Sequence, residues 1–251
     1  MEFPRELLTH LQAAEKVVVF TGAGASAESG IPTFRDALTG LWENFDPMAL
    51  ATPQAFDENP PFVWGWYEWR RALVANCEPN PAHYAIAEMQ NYLSSLVVVT
   101  QNVDDLHERA GAKDIVRLHG SMHHPYCRDC HLPYTLGPVT QGGGEEVPPP
   151  QCPQCQGLVR PGVVWFGESL PSDAWERALE EAAQCDVLLS VGTSSVVYPA
   201  ADIPRLAKEQ GACLVQVNPD ETGLEPFLDF SLQGPAGEIL PALVEAAYEP
   251  A

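Results

Sequence analysis

Residues Thr21 to Asp36 read TGAGASAESGIPTFRD and follow directly on the apolar run Val17-Val18-Val19-Phe20. A buried strand that runs into Gly22-Ala23-Gly24 can turn tightly, and the missing side chains let a pyrophosphate approach main-chain N–H groups. Ala27 then falls at the third position of the pattern G-x-G-x-x-G/A, where a small residue permits close packing of the next helix. The same pattern also fits a tight turn with no ligand. The continuation carries more information. A Rossmann dehydrogenase runs straight into its helix, whereas here Ser29-Gly30-Ile31-Pro32 breaks the chain, since proline disfavours helix at the residue before it. Gly30 to Asp36 therefore reads as an ordered loop beside a cofactor.

Outward from this turn, short β-branched runs recur at Val17–Thr21, Leu96–Thr100, Ile115–Leu118, Val163–Phe166, Val187–Val191 and Leu214–Val217. Helical patterns lie between many of them, at Glu2–Glu15, Pro81–Ser94, Ser172–Gln184 and Asp202–Gln210. The alternation predicts an α/β fold with a doubly wound parallel sheet, and ligands at the carboxyl ends of its strands. Polar motifs fall there: Gln101-Asn102-Val103-Asp104, Gly192-Thr193-Ser194 and Asn218-Pro219-Asp220. Two stretches interrupt the pattern. Residues 37–80, rich in aromatics and proline, read as an inserted helical segment. Residues 121–159 read as a small separate module with a loop at Gly142–Pro150, leaving 1–36, 81–120 and 160–251 for the Rossmann-like domain.

In that module Cys127-x-x-Cys130 and Cys152-x-x-Cys155 have the spacing of two ligand pairs for one tetrahedral Zn²⁺. Four thiolates leave no position for water, so such a metal is structural. Two disulfides are the competing reading, and they suit a secreted chain better than this one. The N-terminus lacks a basic segment followed by an apolar one, no apolar run approaches a membrane span, and seven cysteines fit a reducing compartment. A cytoplasmic location is expected, and Cys77, Cys185 and Cys213 are expected to be inert buried thiols. The 34 acidic against 13 basic residues give a formal charge of −21, which argues against nucleic acid or an anionic membrane as partner and weakly favours basic protein segments. The oligomeric state is left open, with a monomer plausible.

The motifs GAGASAESGIPTFRD, TQNVDDLHERAG, LHG at Leu118–Gly120, the paired CxxC, RPGVVWFGE at Arg160–Glu168, GTSSVVYPA at Gly192–Ala200 and VNPD at Val217–Asp220 occur in the order seen in sirtuins. From about Ala13 to Leu243 the chain resembles a sirtuin, an NAD-dependent protein-lysine deacylase, and within that family it looks most like class III. It departs from the pattern in an extra residue near Leu38-Thr39, in Gly162 where relatives often have His, and in Ser195 where Gly is frequent.

The resemblance implies the following roles. His119 is the general base, acting on a ribose hydroxyl after the acyl oxygen has attacked the nicotinamide ribose to give an alkylimidate; water completes the reaction, and the products are free lysine, nicotinamide and O-acyl-ADP-ribose. A histidine at a strand end is otherwise commonly structural. Asn102 and Asp104 serve with it, lining the nicotinamide and ribose pocket together with Gln101 and Val103, although Asn and Asp also cap loops. NAD, consumed as co-substrate, is held by Gly22, Ala23, Gly24, Ser26, Ala27, Glu28, Thr33, Phe34 and Arg35 from the first loop. Gly192, Thr193, Ser194, Asn218, Asp220 and Ala236 complete its site. Val164, Phe166, Gly167 and Glu168 face an acyl-lysine segment, which could pair beside this run and the Ser195–Tyr198 loop; alternate residues of the run are expected to be buried.

Tyr67 and Arg70 stand at i,i+3 in VWGWYEWRR, on one face of a helix, where a phenol and a guanidinium could converge on a carboxylate. The Tyr-x-x-Arg pattern matches the class III acyl pocket, and Ala51 matches a small residue that leaves room for a longer acyl chain. An aromatic core helix with a solvated Arg end is the plainer reading. The expected function is deacylation of acetyl-, succinyl- and malonyl-lysine. A mono-ADP-ribosyltransferase and a silent NAD or ADP-ribose sensor are the rivals.

Overall fold

The computed structural model describes residues 1–33, 46–137 and 146–249. Phe34, Arg35, the extra residue near Leu38-Thr39 and residues 142–145 of the Gly142–Pro150 loop lie outside them. Six parallel strands form one sheet: β1 (Lys16–Thr21), β2 (Ser95–Thr100), β3 (Ile115–Arg117), β6 (Val187–Val191), β7 (Cys213–Asn218) and β8 (Phe230–Gln233), in the order β3-β2-β1-β6-β7-β8. The order reverses between β1 and β6, which makes a crevice at their carboxyl ends where open α/β sheets bind ligands.

Side chains alternate across the sheet because successive strand residues point to opposite faces. Val17 and Val19 pack with Leu7 and Leu11 of α1 (Arg5–Ala13), with α6 (Pro81–Met89) and with Ile239, Leu240 and Leu243 of α10 (Ala236–Tyr248). Val18 and Phe20 pack with Ala178 and Ala182 of α8 (Ser172–Gln184) and Ile203 and Ala207 of α9 (Ile203–Glu209). With both faces covered, the strands read as continuous apolar runs. The short helices α2 (Gly24–Ala27) and α7 (Leu106–Arg109) follow β1 and β2 at the carboxyl edge.

The inserted segment contributes α3 (Pro47–Leu50), α4 (Pro53–Glu58) and α5 (Pro60–Ala75). Thr52 and Asn59 cap α4 and α5 by accepting from Ala55 N and Phe62 N, with proline at the first turn of each. Asn80 caps α6 in a box closed by His83, whose Nδ1 accepts from Asn80 N. A third core unites Phe56, Trp66 and Tyr67 with Leu106, Val163 and Trp165. It fastens this segment to the loops of the sheet.

Val163–Phe166 is not a strand. Between Pro161-Gly162 and Gly167 it makes a single bridge, Val163 with Gly120, then turns. Its alternation is nonetheless as expected, with Val163 and Trp165 buried and Phe166 exposed. The strand β8 and helix α10 lie outside the runs singled out in the sequence. β8 is an edge strand with only Leu232 buried, so its apolar signal is weak.

The cysteine module holds a two-stranded antiparallel ribbon, β4 (Tyr126–Cys127) and β5 (Val159–Arg160). Among the described residues no helix is long and apolar enough to cross a membrane.

Candidate active site at the carboxyl edge of the sheet

Three glycines let the loops after β1 and β6 interlock. Gly24 N donates to Gly192 O at 2.8 Å and Gly22 N to Val191 O at 3.1 Å. A Cβ on Gly24 would stand 2.7 Å from Gly192 O, and one on Gly22 2.8 Å from Thr193 Cβ. Gly192 has φ +59°, and its Cβ would collide with the Ala25 backbone nitrogen. The third turn joins them: Asn218 Nδ2 donates to Thr193 O at 3.2 Å, and Gln101 Nε2 to Thr193 Oγ1 at 3.0 Å.

Beneath this rim lies a buried polar network. Ser26 Oγ donates to Asp104 Oδ2 at 3.0 Å and accepts from Asn102 Nδ2 at 3.1 Å, while Asp104 Oδ1 accepts from Leu106 N. Burial pushes the Asp104 carboxyl up; the Leu106 N–H, Ser26 and Arg117 pull the other way. Arg117 Nη1 donates to the Asp104 carbonyl at 2.7 Å, which fixes the loop from its far side. Val103 O accepts from Met122 N at 3.2 Å.

His119 follows β3 by two residues. Its Nδ1 lies 3.0 Å from Gln101 O, and because a carbonyl only accepts, Nδ1 carries the proton and Nε2 keeps the lone pair. Burial moves this imidazole below its ordinary pKa, with the Gln101 contact opposing. A neutral ring with a free Nε2 is equipped to take a proton.

Other first-loop residues are placed differently. Glu28 Oε2 accepts from Gly237 N at 2.7 Å and so caps α10 beside Ala236, where Pro235 offers no side-chain cap. Ala23 O accepts from Ser26 N, Ala27 is exposed, and Thr33 is half-buried. Ser194 is half-buried in the loop after β6, and Asp220 is exposed after β7. Ser195 has φ +55°, a conformation in which glycine carries no steric penalty.

On the opposite side, α5 presents Tyr67 and Arg70, both buried. Trp165 Nε1 donates to Tyr67 Oη at 2.9 Å. Burial pushes the Tyr67 phenol well above its ordinary range, against the pull of Arg70 and Trp165. The Arg70 guanidinium lies 5.2 Å from the Trp66 ring centre, and burial lowers its pKa while Tyr67 and Asp104 favour its charge. Ala51 is buried, and its carbonyl accepts from Phe166 N at 2.9 Å. Glu168 is engaged within the protein: it takes both nitrogens of the Arg160 fork, at 2.5 and 2.9 Å, and accepts from Trp165 N at 2.8 Å. Val164 N donates to His119 O at 3.0 Å, and Gly167, at φ +89°, makes the turn that follows.

The sequence reading missed the floor of the site. Thr21 Oγ1 bonds to Thr100 Oγ1 at 2.8 Å and lies 3.1 Å from His107 Nε2, and Thr100 Oγ1 also accepts from Asn102 N. His83 and His107 meet edge to face at 4.8 Å, both fully buried. Burial holds them at about 4 and about 3. The Asn80-Pro81 start of α6 was the one available signal, since it places His83 at the third position of a capping box.

The four sulfurs of Cys127, Cys130, Cys152 and Cys155 lie within 4.8 Å of one another, against the ~3.8 Å that tetrahedral Zn–S bonds of about 2.3 Å require. Both pairs sit on matching knuckles. His131 N donates to Cys127 O and Gln156 N to Cys152 O, each at 3.0 Å, with His131 and Gln156 at φ +59° and +65°. The donor set fits one closed, structural zinc. Cys77, Cys185 and Cys213 are buried away from it; burial raises Cys185 to about 12 and Cys213 to about 11.

The model of the Sir2 family matches residues 22–199. An NAD-dependent protein deacylase of Methylococcus capsulatus is 55% identical over 249 residues, 98% of either chain. NAD-dependent protein deacylase 1 of Pseudomonas aeruginosa is 54% identical, over 97% of this chain and 99% of the relative. A crystal structure of a Sir2 homolog–NAD complex superposes with a TM-score of 0.90 at 45% identity, covering 98% of this chain and 94% of that one. A Sir2–p53 peptide–NAD+ structure gives 0.84 at 30% identity, over 98% of both. On this agreement of sequence and fold along nearly its whole length, the chain belongs to the Sir2 family.

Proposed function

We propose that this chain is an NAD-dependent protein-lysine deacylase that removes acetyl and also acidic acyl groups, succinyl and malonyl, and transfers them to ADP-ribose. The observation that carries the reading is a proton-accepting His119, joined through Gln101 to the Thr193 loop after β6 and through Val164 to the turn whose Trp165 bonds the buried Tyr67. Bound NAD supplies the ribose carbon that takes the acyl oxygen as nicotinamide leaves.

The chain's own residues do the rest. Gly22, Gly24 and Gly192 let the loops after β1 and β6 close on each other where the pyrophosphate would lie, and Asn218 and Gln101 hold Thr193 in place there. Ser26 and Leu106 keep Asp104 oriented toward the nicotinamide pocket, and Ser26 orients Asn102. His119 Nε2 receives the proton of a ribose hydroxyl, with Nδ1 anchored on Gln101. Exposed Phe166, Val196, Val197 and Tyr198 offer apolar cover to an extended acyl-lysine segment. Arg70 would pair with the far carboxylate of a succinyl chain, since a guanidinium fork matches a carboxylate in two parallel hydrogen bonds.

The test incubates the protein with NAD and matched acetyl-, succinyl- and unmodified-lysine peptides, following peptide mass and nicotinamide. Loss of both acyl groups with one nicotinamide released per acyl removed is expected. Nicotinamide release with ADP-ribosylated peptide and no acyl loss would replace this reading with a transferase.

A further inference from the structure

Trp165 is held from every side. Its ring lies under the Arg160 guanidinium, with Cζ 3.6 Å from the ring centre, and its centroid is 5.3 Å from that of Phe56. Glu168 binds both Trp165 N and the Arg160 fork, and Arg160 Nη2 donates to Val163 O at 3.0 Å. The indole cannot rotate without breaking this stack. It spends its single polar atom on Tyr67 Oη, 98 residues away in sequence.

An indole N–H can only donate. Tyr67 Oη therefore accepts here, and its own O–H, which cannot point at the same donor, is left to donate elsewhere. We propose that Trp165 is a positioning residue for acyl selectivity: its N–H fills the acceptor side of the Tyr67 hydroxyl, so that the O–H is left to donate to a carboxylate at the end of an acyl chain. The inference rests on the acidic-acyl reading above. Burial keeps Tyr67 a phenol, and accepting one hydrogen bond makes it the stronger donor in the next. An acetyl group carries no such carboxylate, so Trp165 matters little for it.

The test compares Trp165→Phe, which keeps an aromatic ring under Arg160, with Tyr67→Phe and the double variant, on acetyl- and succinyl-lysine peptides. Trp165→Phe is expected to lower kcat/KM for the succinyl peptide about fivefold through KM and to leave the acetyl peptide within about twofold, as expected for one neutral hydrogen bond. In the Tyr67→Phe background it should cost nothing more. Equal losses on the two peptides, or losses that multiply in the double variant, would overturn the inference. If Tyr67→Phe is selective and Trp165→Phe is not, the inference alone falls; if Tyr67→Phe is itself unselective, the acidic-acyl reading falls and takes the inference with it. Should Trp165→Phe fold poorly, the Trp165 indole N–H resonance of the wild-type protein, identified by its displacement in Tyr67→Phe, decides. Succinyl peptide should shift it and acetyl peptide should not; the same response to both would overturn the proposal.

Discussion

In the proposed site the side of Gly22, Gly24 and Gly192 is walled by main chain, whereas the side of Tyr67, Arg70 and Trp165 is walled by buried side chains. The first surface is set by how closely two loops approach, and any Cβ there strikes backbone. The second is set by which atoms the helix α5 and the turn after Val163 bring together. Main-chain walls suit a ligand part common to every turnover, and side-chain walls suit the part that varies. His119 stands between them, with its ring anchored on the Gln101 carbonyl and its own carbonyl bonded to Val164.

This division can be broken or sharpened by experiment. His119→Ala should lower kcat about 10³-fold on acetyl and succinyl peptides alike, the scale of a lost general base, and steady-state rates on both would check it. Gly192→Ala should cost about 100-fold or more in kcat/KM on both peptides, mainly by loss of NAD binding. The added methyl meets Ala25 N at a φ of +59°, and calorimetric titration with NAD reads the loss. Arg70→Met should cost the succinyl peptide about 10- to 100-fold and the acetyl peptide little, as for one charge-assisted hydrogen bond. Equal losses would remove the distinction between the two walls.

A separate effect, on folding and not on turnover, concerns acid stability beneath the glycine wall. The folded pKa values of His83 and His107, about 4 and about 3, lie below the roughly 6.5 of an unfolded histidine. As pH falls below 6.5 the unfolded chain takes up protons that the folded one refuses, so stability is full above that pH and declines on acidification. From pH 7 to pH 5 the loss is roughly 2 kcal/mol per histidine. Urea unfolding at the two pH values checks it, and His83→Gln should flatten the slope.

Legibility from sequence follows the same division. Gly22 and Gly24 mark a backbone approach that side chains forbid, and Cys127-x-x-Cys130 carries its ligand spacing in four residues, so both are readable locally. The pair Tyr67 and Arg70 is readable as one helical face. What Trp165 does for Tyr67 is not, because the contact exists only once α5 and the Val163–Phe166 turn have packed in one core. The burial of His107 is hidden for the same reason: nothing in LHER distinguishes a ring under the sheet edge from one in solvent. β-branched Val163-Val164 suggested a strand, and the neighbouring glycines allowed only one bridge.

One of those glycines has a practical corollary. A Cβ on Gly162 would run into His124 O, and one on Gly120 into Gly162 O, so two chain segments are pressed together without side chains between them. Ser121 N and Val164 N donate across this seam, which ties the backbone of the base to the turn that carries Trp165. Transplanting the proposed acyl preference into a relative that has histidine at the position of Gly162 would thus require the glycine to travel with Tyr67, Arg70 and Trp165. A graft of the pocket residues alone would arrive on a backbone that cannot close to the same distance.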